Sequence, residues 1–270
     1  MALFITSLNS GSNGNCYYIG NEHDAVLVDA GISCRETEKR LHRLNLSISK
    51  VRAVFISHEH SDHIRGLAVL ARKHNLPVFI TPATLQNSRL GSEQFLTVPL
   101  VGFQPVTIGD LQIIAFPKSH DASDPHSFLI SCKGVKIGVF TDIGFACEHV
   151  ISHFQQCHAA FLETNYDENL LQNGHYPYYL KNRIRSNKGH LSNRQALALF
   201  TSHKPRYMSH VLLSHLSQQN NCPKLVYELF NNHANGTEVV VASRYSETPV
   251  YAISANQVLE PSRMYQLFDN

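Results

Sequence analysis

The most constraining feature of this 270-residue sequence is the segment HEHSDH at 58–63, which places five ionisable side chains within six positions. It follows the apolar run VRAVFIS, which predicts a buried strand, and precedes IRGLAVLARKHN, which has the periodicity of an amphipathic helix. Histidine and aspartate at this spacing are typical ligands of zinc, manganese or iron, whereas a solvated polar loop explains the crowding poorly. We therefore predict a metal site that includes His58, His60, Asp62 and His63.

A tight turn can aim these side chains at more than one ion. His58 and His60 can face one metal ion, while Asp62 and His63, one step further along the chain, meet a second. Two ions roughly 3.5–4 Å apart can share a hydroxide and hold a substrate for in-line displacement. The pattern favours a hydrolytic site over a purely structural one, because a carboxylate accompanies the imidazoles.

Further ligands are expected where other apolar strands end. His120 ends LQIIAFPKSH, Asp142 ends VKIGVFTD and His215 ends YMSHVLLSH. Asp142 suits a bridging position, since one carboxylate can give an oxygen to each cation and lower their mutual repulsion. His126 competes with His120, but it begins the next predicted strand, so we favour His120. Most other histidines are expected to be ordinary residues; His190, in the polar turn KGHLSN, is the exception.

The composition is that of a globular protein, with 43% hydrophobic residues to form a core. The opening MALFITSLNSGSNGN lacks the basic and apolar regions of a leader, and no segment approaches the roughly 20 apolar residues of a membrane span. The six cysteines lie far apart, as expected of reduced thiols rather than of a disulfide framework. We expect a cytoplasmic protein that does not enter the membrane.

The order of predicted elements indicates the architecture. Apolar strands dominate the first half, and helical segments interleave with strands in the second. This order predicts two sheets with helices on their outer faces, a layered α/β sandwich. No repeat or linker divides the chain, so we expect a single domain over 1–270 with two halves, roughly 1–117 and 118–270.

The charge distribution is more informative than the formal net charge of +2. No acidic residue occurs between Glu168 and Glu228, whereas eight lysines and arginines do. Such an acid-free segment can attract phosphates, although from charge alone a solvated basic face explains it equally well. Lys181 and Arg183, within YPYYLKNRIRS, are our candidate phosphate contacts; the tyrosines of this segment could stack on bases, but residues of this kind more often pack in a core.

With these residues in place, the chain resembles the metallo-β-lactamase superfamily, and within it the WalJ/YycJ group of metallo-hydrolases with exonuclease activity. The resemblance covers nearly the whole length. It is carried by SGSNGN at 10–15, VDAG at Asp29, HEHSDH, SHDA at His120, TDIG at Asp142, LETN at Glu163, YPYYLKNRIRSNKGHLSN around His190, and LSHLS at His215. The resemblance implies a four-layer αββα sandwich.

The resemblance also implies roles for the site residues. His58, His60 and His120 would bind one divalent metal ion, Asp62, His63 and His215 the other, and Asp142 would bridge them. The ions would be zinc or manganese, or iron. His190, Glu163 and Asp62 would be the catalytic residues.

Outside the metal ligands, the resemblance extends to the later motifs of the β-CASP nucleases, although no inserted β-CASP domain is visible. Glu163 would orient His190, and His190 would stabilise the scissile phosphate or protonate the departing oxygen. Ser192 and Asn193, in the same motif, are candidate substrate contacts, with a helix-capping turn as the alternative.

The predicted activity is that of a metal-dependent nuclease. A hydroxide bridging two metal ions would attack a phosphodiester, and the resemblance implies 5′-to-3′ exonuclease action, with DNA favoured over RNA as the partner. Two alternatives stay open: a thioester or lactam hydrolase built on the same centre, and a metal-binding or nucleic-acid-binding regulator without catalysis. The sequence gives no indication of an oligomeric state.

Overall fold

A computed structural model describes residues 2–91 and 95–255. Two seven-stranded mixed sheets form its centre. The first sheet has the strand order β14-β1-β2-β3-β4-β5-β6. Its strands are β1 (Leu3–Asn9), β2 (Cys16–Gly20), β3 (Ala25–Val28), β4 (Val51–Phe55), β5 (Val78–Ile80), β6 (Thr97–Pro99) and β14 (Tyr251–Ile253).

The second sheet has the order β13-β12-β11-β10-β9-β8-β7. Its strands are β7 (Pro105–Ile108), β8 (Leu111–Pro117), β9 (His126–Cys132), β10 (Val135–Phe140), β11 (Ala159–Glu163), β12 (His210–Ser214) and β13 (Glu238–Val241). Strands β10 to β13 are parallel, so their carboxyl ends meet at one edge. Strands β3 to β6 of the first sheet are likewise parallel.

Helices connect and flank the strands. They are α1 (Cys34–Arg43), α2 (Ser61–Ile64), α3 (Leu67–His74), α4 (Pro82–Asn87), α5 (Glu148–Phe154), α6 (Glu168–Asn173), α7 (Tyr178–Ile184), α8 (Asn193–His203) and α9 (Pro223–Asn231), with a 3-10 turn at Ile48–Lys50. The elements α2, α4, α6 and β6 have only three to six residues, which is too few to show a periodicity in the sequence.

Alternation along the strands separates an inner core from two outer ones. In β4, Phe55 joins the apolar layer between the sheets, whereas Val54 packs under α1 and α3. In β12, Leu212 faces the same inner layer, whereas Leu213 packs under α5, α8 and α9. Helices therefore cover both outer faces, and the predicted four-layer αββα sandwich is confirmed.

The division between the sheets differs from the predicted division into halves at 117/118. Strands β7 and β8 belong to the second sheet, where β8 pairs with β9 from Gln112 to Pro117. The chain thus passes to the second sheet between β6 and β7. It returns once, since β14 pairs antiparallel with β1 through Leu3 and Ile253.

None of the helices in the described part of the chain is long and apolar enough to cross a bilayer. All six cysteines are unpaired, and Cys16, Cys34, Cys132 and Cys157 are buried.

Candidate metal centre

The turn that carries HEHSDH is fixed by backbone hydrogen bonds to the first sheet. The amide of Asn15 donates to the carbonyl of Asp62 at 2.7 Å, and the amide of Ala30 donates to the carbonyl of His63 at 2.8 Å. Gly31 permits this approach, because a Cβ at this position would lie 1.7 Å from the Asp62 carbonyl oxygen. The loop after β3 therefore sets the position of the ligand-bearing turn.

One group of ligand atoms comprises His58, His60 and His120. His60 Nδ1 lies 3.0 Å from His58 Nε2 and 3.3 Å from His120 Nε2. Two nitrogens bound to one tetrahedral zinc ion at about 2.0–2.1 Å would lie about 3.3 Å apart. The spacing of these three imidazoles is therefore that of ligands to one ion.

A second group comprises Asp62, His63 and His215. Asp62 Oδ2 lies 3.5 Å from the Nε2 atoms of both His63 and His215. Asp142 lies between the two groups: its Oδ2 is 3.2 Å from His63 Nε2, and its Oδ1 is 3.8 Å from His120 Nε2. This is the arrangement expected of a bridging carboxylate.

The ring nitrogens that face away from the cluster have their own partners. His63 Nδ1 donates to Asp29 Oδ2 at 2.7 Å, and His120 Nδ1 donates to the carbonyl of Gly189 at 3.0 Å. His215 Nδ1 donates to Glu163 Oε1 at 2.8 Å. These bonds place the proton on Nδ1, so that the Nε2 lone pair of each ring faces the cluster.

His58 follows the same pattern through a serine. Ser57 Oγ donates to Asp29 Oδ2 at 2.9 Å, which leaves it to accept from His58 Nδ1 at 2.9 Å. The Nε2 atom of His58 is thereby also free to bind a cation. Of the five histidines, His60 alone uses Nδ1 toward the cluster.

The electrostatics of the cluster also fit cations. Within the described residues, Asp142 Oδ2 and His215 Nε2 are buried and make no hydrogen bond. Burial lowers the pKa of His120 to about 4 and that of His58 well below its usual value, as neutral ligands require. Burial opposes charge on His63 and His215 as well, but Asp142 and neighbouring carboxylates raise their pKa values, to about 10 for His215. Carboxylates that hold protons on these imidazoles would equally favour divalent ions.

Three residues at the cluster adopt left-handed backbone conformations. Asp29, Asp142 and His215 have φ angles of 63°, 55° and 57°, and each follows a strand. Non-glycine residues rarely adopt this conformation, and such strain concentrates at functional sites.

A buried carboxylate connects the second ligand group to His190. Glu163 Oε1 accepts from His215 Nδ1 at 2.8 Å and from His190 Nδ1 at 2.9 Å, while Oε2 accepts from the amides of Ile143 and Leu191 at 2.7 and 3.1 Å. Burial favours the neutral acid, but the charges and hydrogen bonds of the two histidines lower the pKa of Glu163 to about 2. Glu163 is therefore ionised and fixes both rings.

The structure separates the candidate substrate residues into two kinds. Ser192 is buried and forms a capping box with Gln195 at the start of α8, and Asn193 is buried and bonds Asn221. These contacts are those of the helix-capping alternative. Lys181 and Arg183 lie on α7, where Arg183 Nε bonds Asp121 Oδ2 at 2.5 Å, next to the candidate ligand His120.

The acid-free segment does not form one surface. Arg183 is joined to the cluster side through Asp121, whereas Lys181, on the same helix, donates to the carbonyl of Gln172 at 2.7 Å. Lys204 and Arg206 instead precede β12, at the end of that strand opposite to His215. Lys204 and Arg206 therefore lie away from the cluster, so the acid-free segment does not act there as one basic surface.

Several supporting residues were not predicted as part of the site. Asp29 was noted only within the VDAG motif, although an acidic residue at the end of an apolar strand was the signal that identified Asp142. Ser57 and Asn15 carry no such signal, and Asn15 Nδ2 donates to Asp62 Oδ2 at 3.2 Å. Lys118 is buried beside the cluster, its Nζ donates to the carbonyl of Thr141 at 2.7 Å, and burial lowers its pKa.

Two facing sheets, outer helices and a cluster of histidines and aspartates at the strand ends define a hydrolase of the metallo-β-lactamase type. The beta-lactamase superfamily domain matches residues 24–215 of the chain. Exodeoxyribonuclease YycJ of Bacillus anthracis is 34% identical over 230 residues, which cover 83% of this chain and 86% of that protein. Exodeoxyribonuclease WalJ of Streptococcus pneumoniae serotype 2 is 32% identical over 225 residues, covering 82% and 84%.

Among solved structures, the metallo-β-lactamase fold protein YhfI from Bacillus subtilis superposes with a TM-score of 0.73 at 16% identity, covering 93% of this chain and all of that one. The present chain therefore belongs to the metallo-β-lactamase superfamily and is a YycJ/WalJ-type member of it.

Proposed function

We propose that this protein is a metal-dependent exodeoxyribonuclease that removes nucleotides in the 5′-to-3′ direction. The observation that carries the proposal is the pair of ligand groups joined by Asp142, with Glu163 holding His190 beside the second group. DNA as the substrate is supported by the relatives named exodeoxyribonucleases and by the basic residues on α7. The 5′-to-3′ direction rests on the family resemblance.

Two divalent ions, zinc or manganese or alternatively iron, are the proposed cofactors. His58, His60 and His120 would hold one ion and Asp62, His63 and His215 the other, with Asp142 shared. Bound ions would lower the pKa of a water molecule to about 7 and offset the negative charge of the phosphate. The neutral state of His58 and His120 and the ionised state of Asp142 are those that such ligands need.

The chain's own residues handle the protons and the phosphate. Asp62 has a side chain that is partly open to solvent, and it is our candidate acceptor for the proton of the attacking water. His190 Nδ1 is bonded to Glu163, which leaves Nε2 to contact the scissile phosphate or to protonate the departing oxygen. Lys181 and Arg183 would bind the DNA backbone, and Ser192 and Asn193 would position His190 by fixing the turn before α8.

Six unpaired cysteines support a reducing compartment, and we propose the cytoplasm as the place of action.

Digestion of labelled substrates tests the proposal. Purified protein would be analysed for metal content and incubated with 5′-labelled and 3′-labelled DNA, single- and double-stranded, with RNA, and with a thioester, each with and without chelator. We expect early release of the 5′ label as a mononucleotide, late release of the 3′ label, and loss of both with chelator. Inert nucleic acids and a hydrolysed thioester would contradict the proposal.

Variants connect the activity to the cluster. His58→Ala should remove metal and abolish cleavage, whereas His190→Ala should retain metal and reduce cleavage by about 10²–10⁴-fold. The matched control is His233→Ala, which alters an exposed histidine that bonds only the Leu229 carbonyl. If His58→Ala left metal content and cleavage unchanged, the assignment of the centre would fail.

A further inference from the structure

A cavity of about 270 Å³ lies beside the metal centre, and no residue of the proposed hydrolytic site occupies it. Its wall includes Leu216, which directly follows the ligand His215, and Ser10, whose hydroxyl accepts from the His215 amide at 2.7 Å. Because β10 to β13 are parallel, Asp142, Glu163, His215 and then Arg244 follow successive strands at one edge. The cavity is the next position along this edge, where open α/β sheets bind ligands.

The lining of the cavity is mostly apolar. Leu216, Pro223 and Val241 contribute side chains, and the ring of Tyr245 is 73% exposed. A cavity of about 270 Å³ is near the lower end of the roughly 300–1,000 Å³ of small-ligand sites, which suits a single nucleotide rather than an oligonucleotide. An apolar lining with an exposed aromatic ring favours a planar base of any identity, because every base has a face on which a ring can stack.

Arg244 supplies the one cation of this lining, and its charge is not neutralised. Nη1 donates to Gln218 Oε1 at 2.7 Å, but Arg244 forms no ion pair with any described residue. Its Nε atom is buried and has no hydrogen-bond partner within 2–91 and 95–255. A guanidinium that lacks an ion pair and lines an apolar cavity is suited to a phosphate.

The glycine-rich loop at 10–15 connects this cation to the metal centre. Asn13 Nδ2 donates to the Arg244 carbonyl at 2.8 Å, and Asn15 Nδ2 donates to Asp62 Oδ2 at 3.2 Å. Gly11, at φ 135°, lets the guanidinium lie against the loop, because a Cβ there would be 2.9 Å from Arg244 Nη2. One loop therefore contacts both the cavity and a proposed metal ligand.

We propose that this cavity holds the terminal nucleotide of the strand that is degraded, with the base against Tyr245 and the apolar wall and its phosphate at Arg244. This inference rests on the proposed nuclease function, from which it takes the identity of the ligand. It explains how a centre made of ions and imidazoles could select a strand end without selecting a base.

Binding of small probes separates the two contacts. Affinities would be measured by calorimetry for deoxyadenosine 5′-monophosphate, which has both base and phosphate, and for deoxyribose 5-phosphate, which lacks the base. Arg244→Ala should weaken both probes by about fivefold or more, and Arg244→Lys should restore part of the loss. Tyr245→Ala should weaken only the nucleotide, again by about fivefold or more.

The chain offers a matched control in Arg206 and Tyr207, an adjacent exposed pair at the opposite end of β12. Arg206→Ala and Tyr207→Ala should bind both probes with the affinity of the wild type. In DNA digestion, Tyr245→Ala should raise KM more than it lowers kcat, whereas the control variants should match the wild type.

Equal affinities of the wild type, Arg244→Ala and Tyr245→Ala for the nucleotide would overturn the assignment of the cavity. Binding that depends on Arg244 and Tyr245 in a protein that cuts no DNA would support the cavity and refute the nuclease proposal. DNA cleavage with a KM that does not change in Tyr245→Ala and Arg244→Ala would support the nuclease proposal and refute the assignment of the cavity.

Discussion

Replacing Asp29 with asparagine tests whether this carboxylate controls the ligand state of His63. Asp29 is fully buried and accepts three hydrogen bonds, from the Ser57 amide and hydroxyl and from His63 Nδ1, at 2.8, 2.9 and 2.7 Å. Asp29→Asn preserves the side-chain shape, and asparagine tolerates the φ of 63° at this position. The substitution therefore changes the hydrogen bonding with little change in the backbone.

The expected magnitude follows from those bonds. If the amide oxygen of the introduced asparagine keeps the hydrogen bond from the Ser57 amide, the NH₂ group of the same side chain faces His63 Nδ1. The imidazole must then accept at Nδ1 and carry its proton on Nε2, toward the cluster. Loss of such a supporting partner typically lowers metal affinity or activity by about 10–100-fold, or about 1.4–2.7 kcal/mol. We expect a loss of that size in the affinity for the second ion.

Chelator competition measures this affinity, and DNA digestion measures activity in parallel. Asp110→Asn is the control, since Asp110 is about half exposed and pairs only with Lys133 at 3.4 Å. If Asp29→Asn matched the wild type in both measurements, neither the tautomer of His63 nor the affinity for the second ion would depend on the hydrogen bond from His63 Nδ1 to Asp29.

Three further substitutions address other parts of the site. Glu163→Gln should lower kcat for DNA cleavage by about 10²–10⁴-fold, because Glu163 orients His190. Metal analysis should show a smaller loss of metal than in His58→Ala, because Glu163 supports the candidate ligand His215 and is not itself a proposed ligand. Gly31→Ala should lower Tm more than Gly134→Ala. A Cβ at Gly31 would lie 1.7 Å from the Asp62 carbonyl oxygen, whereas a Cβ at Gly134 meets nothing within 4 Å, so that Gly134→Ala carries only the conformational cost of its φ of 88°. Arg183→Ala should weaken DNA binding at low salt and reduce the slope of log K against log salt by about 1, measured by fluorescence anisotropy.

The layered architecture could be predicted because it depends on local patterns. Alternation along strands and the spacing of apolar residues in helices are visible within windows of ten residues. Pairing between distant strands is not local: β14 joins β1 through Leu3 and Ile253. Nor does periodicity reveal that β7 and β8 belong to the second sheet, since a hairpin can extend either sheet.

The ligand candidates could be predicted for a related reason. HEHSDH is contiguous, and His120, Asp142 and His215 each end an apolar strand. Parallel pairing brings Asp142 and His215 to one edge, and β8, which precedes His120, runs in the same direction because β8 and β10 both pair antiparallel with β9. The supporting contacts depend instead on tertiary structure. Asp29 contacts Ser57 and His63 because β3 and β4, which precede these residues, are paired neighbours, and their separation in sequence does not show that pairing.

Backbone strain is the part of the site that residue types do not reveal, and Asp142 offers a way to measure it. Asp142 follows β10 with φ 55°, a conformation that costs most residues about 1–2 kcal/mol but that asparagine adopts readily. Asp142→Asn and Asp142→Ala both remove the negative charge of the carboxylate, whereas only alanine incurs the conformational cost. Asp62 provides the comparison pair, because it lies in α2 and does not have a positive φ.

In the presence of chelator, the free energy of unfolding should therefore differ between Asn and Ala by about 1 kcal/mol more at Asp142 than at Asp62. Denaturant titration of the four variants would measure this difference. An equal Asn-to-Ala difference at both positions would mean that the left-handed turn stores no strain. A larger Asn-to-Ala difference at Asp142 would mean that the left-handed conformation lowers the stability of the fold at this strand end, where the carboxylate lies between the two ligand groups.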